Sequence, residues 1–248
     1  MFQLLKKIFF QPVRAFETTQ PISYQLNSDF KAQLIGIKPF SSLLYLKPKW
    51  RNRVTHLDVN ERIIELPFVF NQLDFHHKGK VLDLGCCESL ISINLATAGF
   101  EVTGMDIRPY LLKHPNFHFI QADICQTKIK TKFDYILSIS TLEHIGLNTI
   151  YGPSSQSTDD QNAINQIYQL LKPKGKLILT VPASKHGWQN SFMRSYTDLQ
   201  LKKMLKNFAK VQIEYFKPDK KRQFWSKTTA NQLPSKPTFG VALIVATK

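Results

Sequence analysis

The chain has 248 residues, of which 33 are Lys or Arg and 18 are Asp or Glu, so its formal net charge is +15. Apolar residues make up 43% of it, which is too many for a disordered protein, and 10 Gly with 13 Pro exclude collagen-like and low-complexity classes. The length fits one large α/β domain with or without a modest extension. The positive charge suggests a polyanionic partner, either nucleic acid or an anionic membrane surface.

The N-terminal stretch, residues 1–12, combines apolar residues with Lys6 and Lys7 and ends at Pro12. The lysines interrupt the apolar run and no small-residue cleavage site follows, so a secretory signal is not expected. The pattern predicts a short amphipathic helix that lies either on a membrane or on the domain's own surface. Residues 1–57 are irregular and basic and are predicted to be an extension. The main domain, which should carry the functional site, is predicted to span residues 58–248.

Apolar residues recur at helical spacing over residues 58–73, where Pro67 is expected to kink or split the helix. Strands and helices then alternate, which predicts a doubly wound, mostly parallel α/β sheet. Seven strands are expected, and the last two should pair antiparallel at one edge because no helical pattern separates them. The long basic stretch at residues 217–238 is expected to be a functional or flexible loop. Strands are predicted at residues 81–84, 101–106, 117–121, 133–140, 176–181, 211–216 and 241–246, and helices at residues 90–98, 159–171 and 198–208.

Acidic residues mark the ends of the first three predicted strands. Asp83 and Gly85 stand where the first strand enters a tight turn, whose small residue lets backbone N–H groups approach a ligand. Asp106 ends the second strand about 20 residues later, where a carboxylate can accept hydrogen bonds from both ribose hydroxyls. Asp123 follows the third strand and can meet an adenine edge, with Ile124 against the ring. Each acid alone could be an ordinary turn residue, but the three together favour a nucleoside-containing ligand.

This pattern resembles the class I S-adenosylmethionine-dependent methyltransferases, whose first motif is D-x-G-x-G-x-G. Cys87 and Ser89 replace the second and third glycines here. A dinucleotide fingerprint tolerates such losses poorly, because the pyrophosphate must touch the backbone. The departures therefore favour S-adenosyl-L-methionine, and the resemblance implies a Rossmann-like methyltransferase with that cofactor. The implied cofactor-binding residues are Asp83, Gly85, Cys86, Cys87, Ser89, Asp106, Ile107, Asp123, Ile124, Ser140 and Glu143.

Two further motifs strengthen the resemblance. Glu143 and His144 follow the fourth strand, and the family's L-K-P-G-G signal is close to Leu171-Lys-Pro-Lys-Gly175 before the fifth. The sequence also resembles, more narrowly, a branch associated with polysaccharide and glycolipid biosynthesis, although it departs from that branch's Y-G-D pattern. That branch is suggested by three motifs: Glu61-Arg62…Glu65-Leu-Pro67, Glu143-His144-Ile-Gly146…Tyr151-Gly152, and Asp160-x-x-Ala163. Pro153 stands where the branch has Asp.

His144 is the first candidate for a general base, because an imidazole titrates near ~6.5 and can take a proton from a hydroxyl nucleophile. The alternative is a structural histidine that hydrogen-bonds a loop. His186 is the second catalytic candidate, and Trp188 and Tyr196 are candidates for an aromatic wall. Some members of the superfamily hold a divalent metal with E-x-x-E-H. Here Ser140 replaces the first acid, so the predicted enzyme is metal-independent.

Three functions stay open at this point: an O-methyltransferase for a small-molecule, sugar or lipid-linked glycan acceptor, an RNA methyltransferase (ribose or base), and a non-catalytic module with a degenerate cofactor motif. The Asn/Asp-Pro-Pro-aromatic tetrapeptide of amino-methylating enzymes is missing after the fourth strand. Lys6 and Lys7 lie beside Phe9 and Phe10, so the charge favours peripheral contact with an anionic membrane or glycolipid over RNA. The three cysteines, Cys86, Cys87 and Cys125, form no disulfide framework, which predicts reduced thiols in a cytoplasmic protein.

Overall fold

Eight of ten strands form one sheet in a computed structural model that describes residues 60–147, 159–219, 224–236 and 238–248, without the side chain of Glu88. The described residues belong to one unit, Val59–Lys248. The predicted N-terminal extension with its amphipathic helix, and Tyr151–Pro153, lie outside these ranges. The strands are β1 (Lys80–Leu84), β2 (Glu101–Asp106), β3 (Phe117–Gln121), β4 (Phe133–Ile139), β5 (Leu171–Ala183), β6 (Trp188–Gln189), β7 (Arg194–Ser195), β8 (Lys210–Asp219), β9 (Phe224–Thr228) and β10 (Gly240–Thr247).

The large sheet has the order β3-β2-β1-β4-β5-β10-β8-β9. Its first five strands are mutually parallel, and β10 runs antiparallel to both β5 and β8. The chain order reverses direction at β1, which is flanked by β2 on one side and β4 on the other. Such a reversal opens a crevice at the carboxyl ends of the strands, where ligands bind in open α/β sheets.

The predicted doubly wound, mostly parallel sheet with an antiparallel end is confirmed, and two details differ. The antiparallel pair of β8 and β10 exists, with β10 inserted between β5 and β8. The stretch predicted as a loop at residues 217–238 contains β9, an eighth strand that pairs with β8. This edge strand is only five residues long and lacks a buried side chain, so it carries no clear apolar alternation.

Four α-helices of the described ranges cover the sheet: α1 (Arg62–Gln72), α2 (Ile91–Thr97), α3 (Asp160–Leu170) and α4 (Asp198–Met204). The first helix runs through Pro67 without a break, so the expected split does not occur. The third begins where the Asp159 carboxylate accepts a hydrogen bond from the Asn162 N–H. The fourth begins with a reciprocal pair of bonds between Thr197 and Gln200.

The core lies on both faces of the sheet, because successive strand residues point to opposite sides. One face packs against α3 and α4, and the other against α1 and α2. The central strands are therefore buried on both sides, which explains their continuous apolar sequence. Within the described ranges, no helix is long and apolar enough to cross a bilayer. The first face includes Leu82, Ile136, Ile167, Leu177 and Leu201, and the second includes Val69, Val81, Leu95, Leu137 and Ile178.

Gly240 opens β10 at a point where the backbone of β8 comes very close. A Cβ added there would overlap the carbonyl oxygen of Phe216 and lie 2.7 Å from a methyl carbon of Leu233. We expect Gly240→Ala to lower the free energy of unfolding by about 1–3 kcal/mol, because a backbone atom must move to admit the methyl group. Urea unfolding measures the change. Thr247→Ala at the half-buried far end of the same strand is the control, expected within about 0.5 kcal/mol of the parent chain, and equal stability of both variants would contradict the overlap.

Candidate functional site

The parallel registers bring the ends of β1, β2 and β4 to one edge of the sheet. Asp83, near the end of β1, lies opposite Gly104 of β2 and Leu137 of β4. Asp106 is the last residue of β2, and Ser140 follows β4 directly. The strand-end residues that the sequence singled out therefore face one crevice, between β1 and its two neighbours.

Gly85 makes the turn after β1 possible. Its φ of 75° lies in the left-handed region, which favours glycine. Its N–H donates to the Met105 carbonyl of β2 at 2.8 Å. On the other side, an added Cβ would overlap the hydroxyl of Thr141 and lie 2.6 Å from its methyl carbon. The turn is thus held between β2 and the segment after β4, with no room for a side chain.

Asp83 is a buried carboxyl group, with 2% of its surface exposed. It accepts a hydrogen bond of 2.6 Å from the Ser92 hydroxyl. Burial raises the pKa of Asp83 to about 7, with a further contribution from Asp106, although Ser92 and the positive charge of Arg62 oppose the shift. Near neutral pH this carboxyl group can therefore gain or lose its proton, and a cation placed beside it would favour the ionised form.

The Asp106 carboxylate is already fully engaged in this structure. One oxygen accepts from the backbone N–H and Nε of Arg108, at 3.0 and 3.1 Å. The other accepts from the Cys87 N–H and from Nη2 of Arg108, both at 3.1 Å. Burial alone would raise the pKa of Asp106, but the bonds from Arg108 and Cys87 lower it overall. A carboxylate has about four acceptor positions, so ribose hydroxyls could bind Asp106 only by displacing the Arg108 side chain.

The other predicted cofactor-binding residues of the first turn, and Ile107, differ in burial and in hydrogen bonding. Cys86 is buried, and Cys87 donates its thiol proton to the Arg108 carbonyl at 3.4 Å. Burial and the neighbouring Asp106 raise the pKa of Cys87 to about 12, so the thiol stays protonated. The Ser89 hydroxyl accepts from the Ile91 N–H at 3.0 Å, a local turn bond at the start of α2. Ile107 is 44% exposed, as an apolar contact for a ring would require.

The third predicted strand end is placed beside the second, because the Ala122 N–H donates to the Asp106 carbonyl at 3.0 Å. Asp123 accepts from the Cys125 N–H at 2.8 Å, which is a local turn bond. Ile124 is 5% exposed and packs in the core. Their predicted roles at an adenine ring stay predictions.

At the end of β4, Ser140 has a φ of 45°, which is unusual for a residue other than glycine. Three hydrogen bonds hold it there. Its N–H donates to the carbonyl and the hydroxyl of Thr180, each at 3.0 Å. Its hydroxyl donates to a Glu65 oxygen at 2.8 Å. Glu65 is fully buried on α1 and also pairs with Arg62 at 2.8 Å.

Helix α1 therefore contributes charged residues that the site predictions lacked. The pattern Glu61-Arg62…Glu65 was visible in the sequence, yet it suggested only a branch of the family. Arg62 pairs directly with Glu65, and its positive charge also acts on Glu61, Glu143 and Asp83. Four carboxyl groups around one guanidinium leave the crevice short of positive charge.

The lack of positive charge in the crevice is clearest at Glu143. It is 2% exposed, and among the described residues its Oε2 atom has no hydrogen-bond partner. Burial raises the pKa of Glu143 well above its usual value, the nearby Glu65 and Glu61 add to the shift, and Arg62 opposes it. A buried carboxyl oxygen without a partner is costly, so this crevice fits a cationic ligand group.

His144 lies between this cluster and the β6–β7 hairpin. Its Nδ1 atom is 2.7 Å from the Phe192 carbonyl oxygen, and its ring packs on the Phe192 ring with centroids 4.6 Å apart. A carbonyl oxygen can only accept, so Nδ1 carries the proton and neutral His144 keeps its Nε2 lone pair as a proton acceptor. Nε2 lies 3.8 Å from Glu143 Oε1. His144 thus has both the loop-bonding role and an atom suited to take a proton.

His186 has a different setting. It is exposed in the loop after β5 and lines a cavity of about 530 Å³ together with Trp188 and Tyr196. The two catalytic candidates are thus in different surroundings, and only His144 lies beside the carboxyl cluster. In the part of the chain that the structure describes, no group of three or more His, Cys, Asp or Glu residues could hold a metal ion. Metal independence stays a prediction.

Comparison with known proteins identifies the family. A family model described as a methyltransferase domain matches residues 56–234. A Coxiella burnetii protein named "Ubiquinone biosynthesis O-methyltransferase" is 32% identical over 128 residues, 47% of this chain and 49% of that one. A Schizosaccharomyces pombe protein, named as the mitochondrial form of the same enzyme, is 22% identical over 141 residues, 52% of this chain and 47% of its own. The chain spans about half the length of the curated relatives it matches.

Solved structures agree on the fold. The 1,6-didemethyltoxoflavin-N1-methyltransferase of Burkholderia thailandensis, solved with S-adenosylhomocysteine, is 15% identical with a TM-score of 0.53 over 96% of this chain and 94% of its own. The phosphoethanolamine N-methyltransferase 2 of Haemonchus contortus is 14% identical with a TM-score of 0.57, over 88% and 60% of the two chains. At such identities the likeness shows the fold alone. Together with the family model, which covers most of the chain, it establishes that this protein belongs to the class I S-adenosyl-L-methionine-dependent methyltransferases and that S-adenosyl-L-methionine is its cofactor.

Proposed function

We propose that this methyltransferase acts on a hydroxyl oxygen of a small-molecule acceptor. The observation that carries the proposal is the tautomer of His144, whose Nδ1–H donates to the Phe192 carbonyl and whose Nε2 stays basic at the end of β4. When bound, the cofactor supplies an electrophilic methyl group on a sulfonium. The names of the relatives, ubiquinone biosynthesis O-methyltransferases, support oxygen as the target atom.

The acidity of the acceptor hydroxyl favours a phenol over a sugar. An imidazole titrates near ~6.5 and a phenol near ~10, a gap of about 3.5 units or about 5 kcal/mol. A hydroxyl as weakly acidic as water, near ~15.7, would cost about 12 kcal/mol for the same proton transfer. His144 can therefore help a phenol far more easily than an aliphatic alcohol, so we narrow the proposed acceptor to a phenolic compound.

The described residues also fit the cofactor's charges. Asp83 would face the methionine ammonium group, and Glu143 with Glu65 would compensate positive charge near the end of β4. Arg62 lies among these carboxyl groups and would pair with the methionine carboxylate. Asp106 would bind the ribose after Arg108 has moved, which its 31% exposed side chain allows. These assignments, like those of Gly85, Cys86, Cys87 and Ser89 in the turn, are part of the proposal.

The base assignment predicts a selective loss of turnover. His144→Ala should lower kcat by about 10²–10⁴-fold, because a general base of this kind contributes that much. The Kd for S-adenosylhomocysteine, measured by calorimetry, should stay within about twofold. His118→Ala, on the exposed face of β3, is the control and should change neither quantity. A parallel loss of kcat and cofactor affinity in His144→Ala would make this histidine structural.

The raised pKa of Asp83 predicts that cofactor binding depends on pH. Protonated Asp83 cannot pair with an ammonium group, so affinity for S-adenosylhomocysteine should rise as the pH increases through about 7 and level off above it. Below that pH each unit should weaken binding by up to about tenfold. Calorimetry at pH 6, 7 and 8 measures this, and binding should be accompanied by proton release at pH 6.

Asp83→Asn is the matched variant, because the amide keeps the shape and can still accept from Ser92. It should bind the ligand more weakly and with a flat profile between pH 6 and 8. If the parent chain and this variant show the same pH profile, Asp83 does not face the ammonium group.

A further inference from the structure

The cavity beside the β6–β7 hairpin is a second binding space outside the cofactor crevice. Its volume of about 530 Å³ lies within the range of small-molecule sites. Its walls come from the hairpin, the first turn of α3 and one side of α4. Trp188 provides a partly buried aromatic surface, and the ring of the buried Tyr196 is fixed because its hydroxyl donates to Asp160 at 2.9 Å. Such a space suits a flat ring.

The hairpin connects this cavity to the proposed base. Nη1 of Arg194 donates to the Ile145 carbonyl at 2.5 Å, one residue after His144. At the tip of the hairpin, the Asn190 side chain accepts from the N–H groups of Phe192 and Met193, both at 2.8 Å. The turn formed in this way presents the Phe192 carbonyl to Nδ1 of His144. One short element therefore orients the base and lines the cavity.

The charges around the cavity favour an anion. Among its described lining residues, Arg194 and Lys203 are cationic and Asp160 is the only acid. Asp160 is already engaged by the Tyr196 hydroxyl and by Arg194, whose Nε lies 3.7 Å away. In the ranges that the structure describes, Lys203 makes no ion pair with an acid. Its neighbour Lys202 differs, since it pairs with Asp198 at 2.8 Å and does not line the cavity.

We propose that this cavity is the acceptor site and that it selects a ring compound bearing an anionic group, a carboxylate or a phosphate, which is held by Lys203 with support from Arg194. The inference rests on the proposed function. Strand β7, which lines the cavity, contacts the Leu142–His144 segment that carries the proposed base. The ring lies against Trp188, and the negative charge lies toward α4. Lys203 is then a specificity-determining residue that takes no part in the proton transfer.

Three probes of similar shape test the charge preference: 4-hydroxybenzoate, its neutral amide 4-hydroxybenzamide, and 4-hydroxyphenyl phosphate. Each is titrated by calorimetry into the full chain, with and without saturating S-adenosylhomocysteine. We expect at least one anionic probe to bind about tenfold more tightly than the amide, and the tighter of the two identifies the anionic group. Lys203→Gln should remove most of this preference, and Lys203→Glu should reverse it.

Lys202→Gln is the matched control, one position away on the same helix, and should keep the full preference. The proposal is overturned if the three probes bind equally, if none binds, or if Lys203→Gln and Lys202→Gln show the same preference. Affinity for S-adenosylhomocysteine is read in the same experiments. If the parent chain does not bind S-adenosylhomocysteine, the proposed function is overturned. The probe titrations made without S-adenosylhomocysteine still test the cavity in that case.

Discussion

Gly85 is the point where three strand ends are held together. Gly85 directly follows the last residue of β1, and its N–H donates to the Met105 carbonyl of β2. On its other side its Cα lies against Thr141, which follows β4. The positive φ and the lack of space for a Cβ leave glycine as the residue that satisfies both contacts. Asp83, Asp106 and the Ser140–His144 segment take their places from this junction, so the cofactor crevice depends on it.

The electrostatics of the crevice run against those of the whole chain. The protein has a net charge of +15, yet in the described crevice the positive charge of Arg62 acts on four carboxyl groups, while Arg108 is paired with Asp106. Three of these four groups, Asp83, Glu143 and Glu61, have raised pKa values, chiefly because they are buried. A cofactor that carries a sulfonium and an ammonium compensates this local shortage. Positive charge elsewhere on the chain is consequently a poor guide to what the crevice binds.

Much of the fold could be predicted because its signals are local. The strands Glu101–Asp106 and Phe117–Gln121 are predicted at their observed bounds, since each reads as a short run of strand-forming residues between turns. The strand Phe224–Thr228 is not predicted, because its five residues show no apolar alternation and lie within a long basic stretch. The placement of three acids at strand ends also followed from local pattern, and their common edge followed from the parallel sheet.

The contacts that define the site could not be read from local pattern. Glu65 bonds Ser140 across 75 positions of the chain, and no periodicity reveals such a pairing. Phe192 fixes the tautomer of His144 from a hairpin 48 residues away. Arg108 occupies the Asp106 carboxylate from only two positions on, but this engagement depends on the folded turn and is not predicted from the sequence. His186 had the same residue type as His144 and only the structure separates their surroundings.

The central claim is that the methyl group goes to oxygen with help from His144. The most direct test supplies S-adenosyl-L-methionine with a ¹³C-labelled methyl group together with two ring compounds that differ only in the acceptor atom, 4-hydroxybenzoate and 4-aminobenzoate. Carbon NMR of the products shows which atom received the label. The account predicts a labelled methyl ether from the hydroxyl compound, reduced in His144→Ala, and no labelled amine. A labelled N-methyl product without the ether would contradict it.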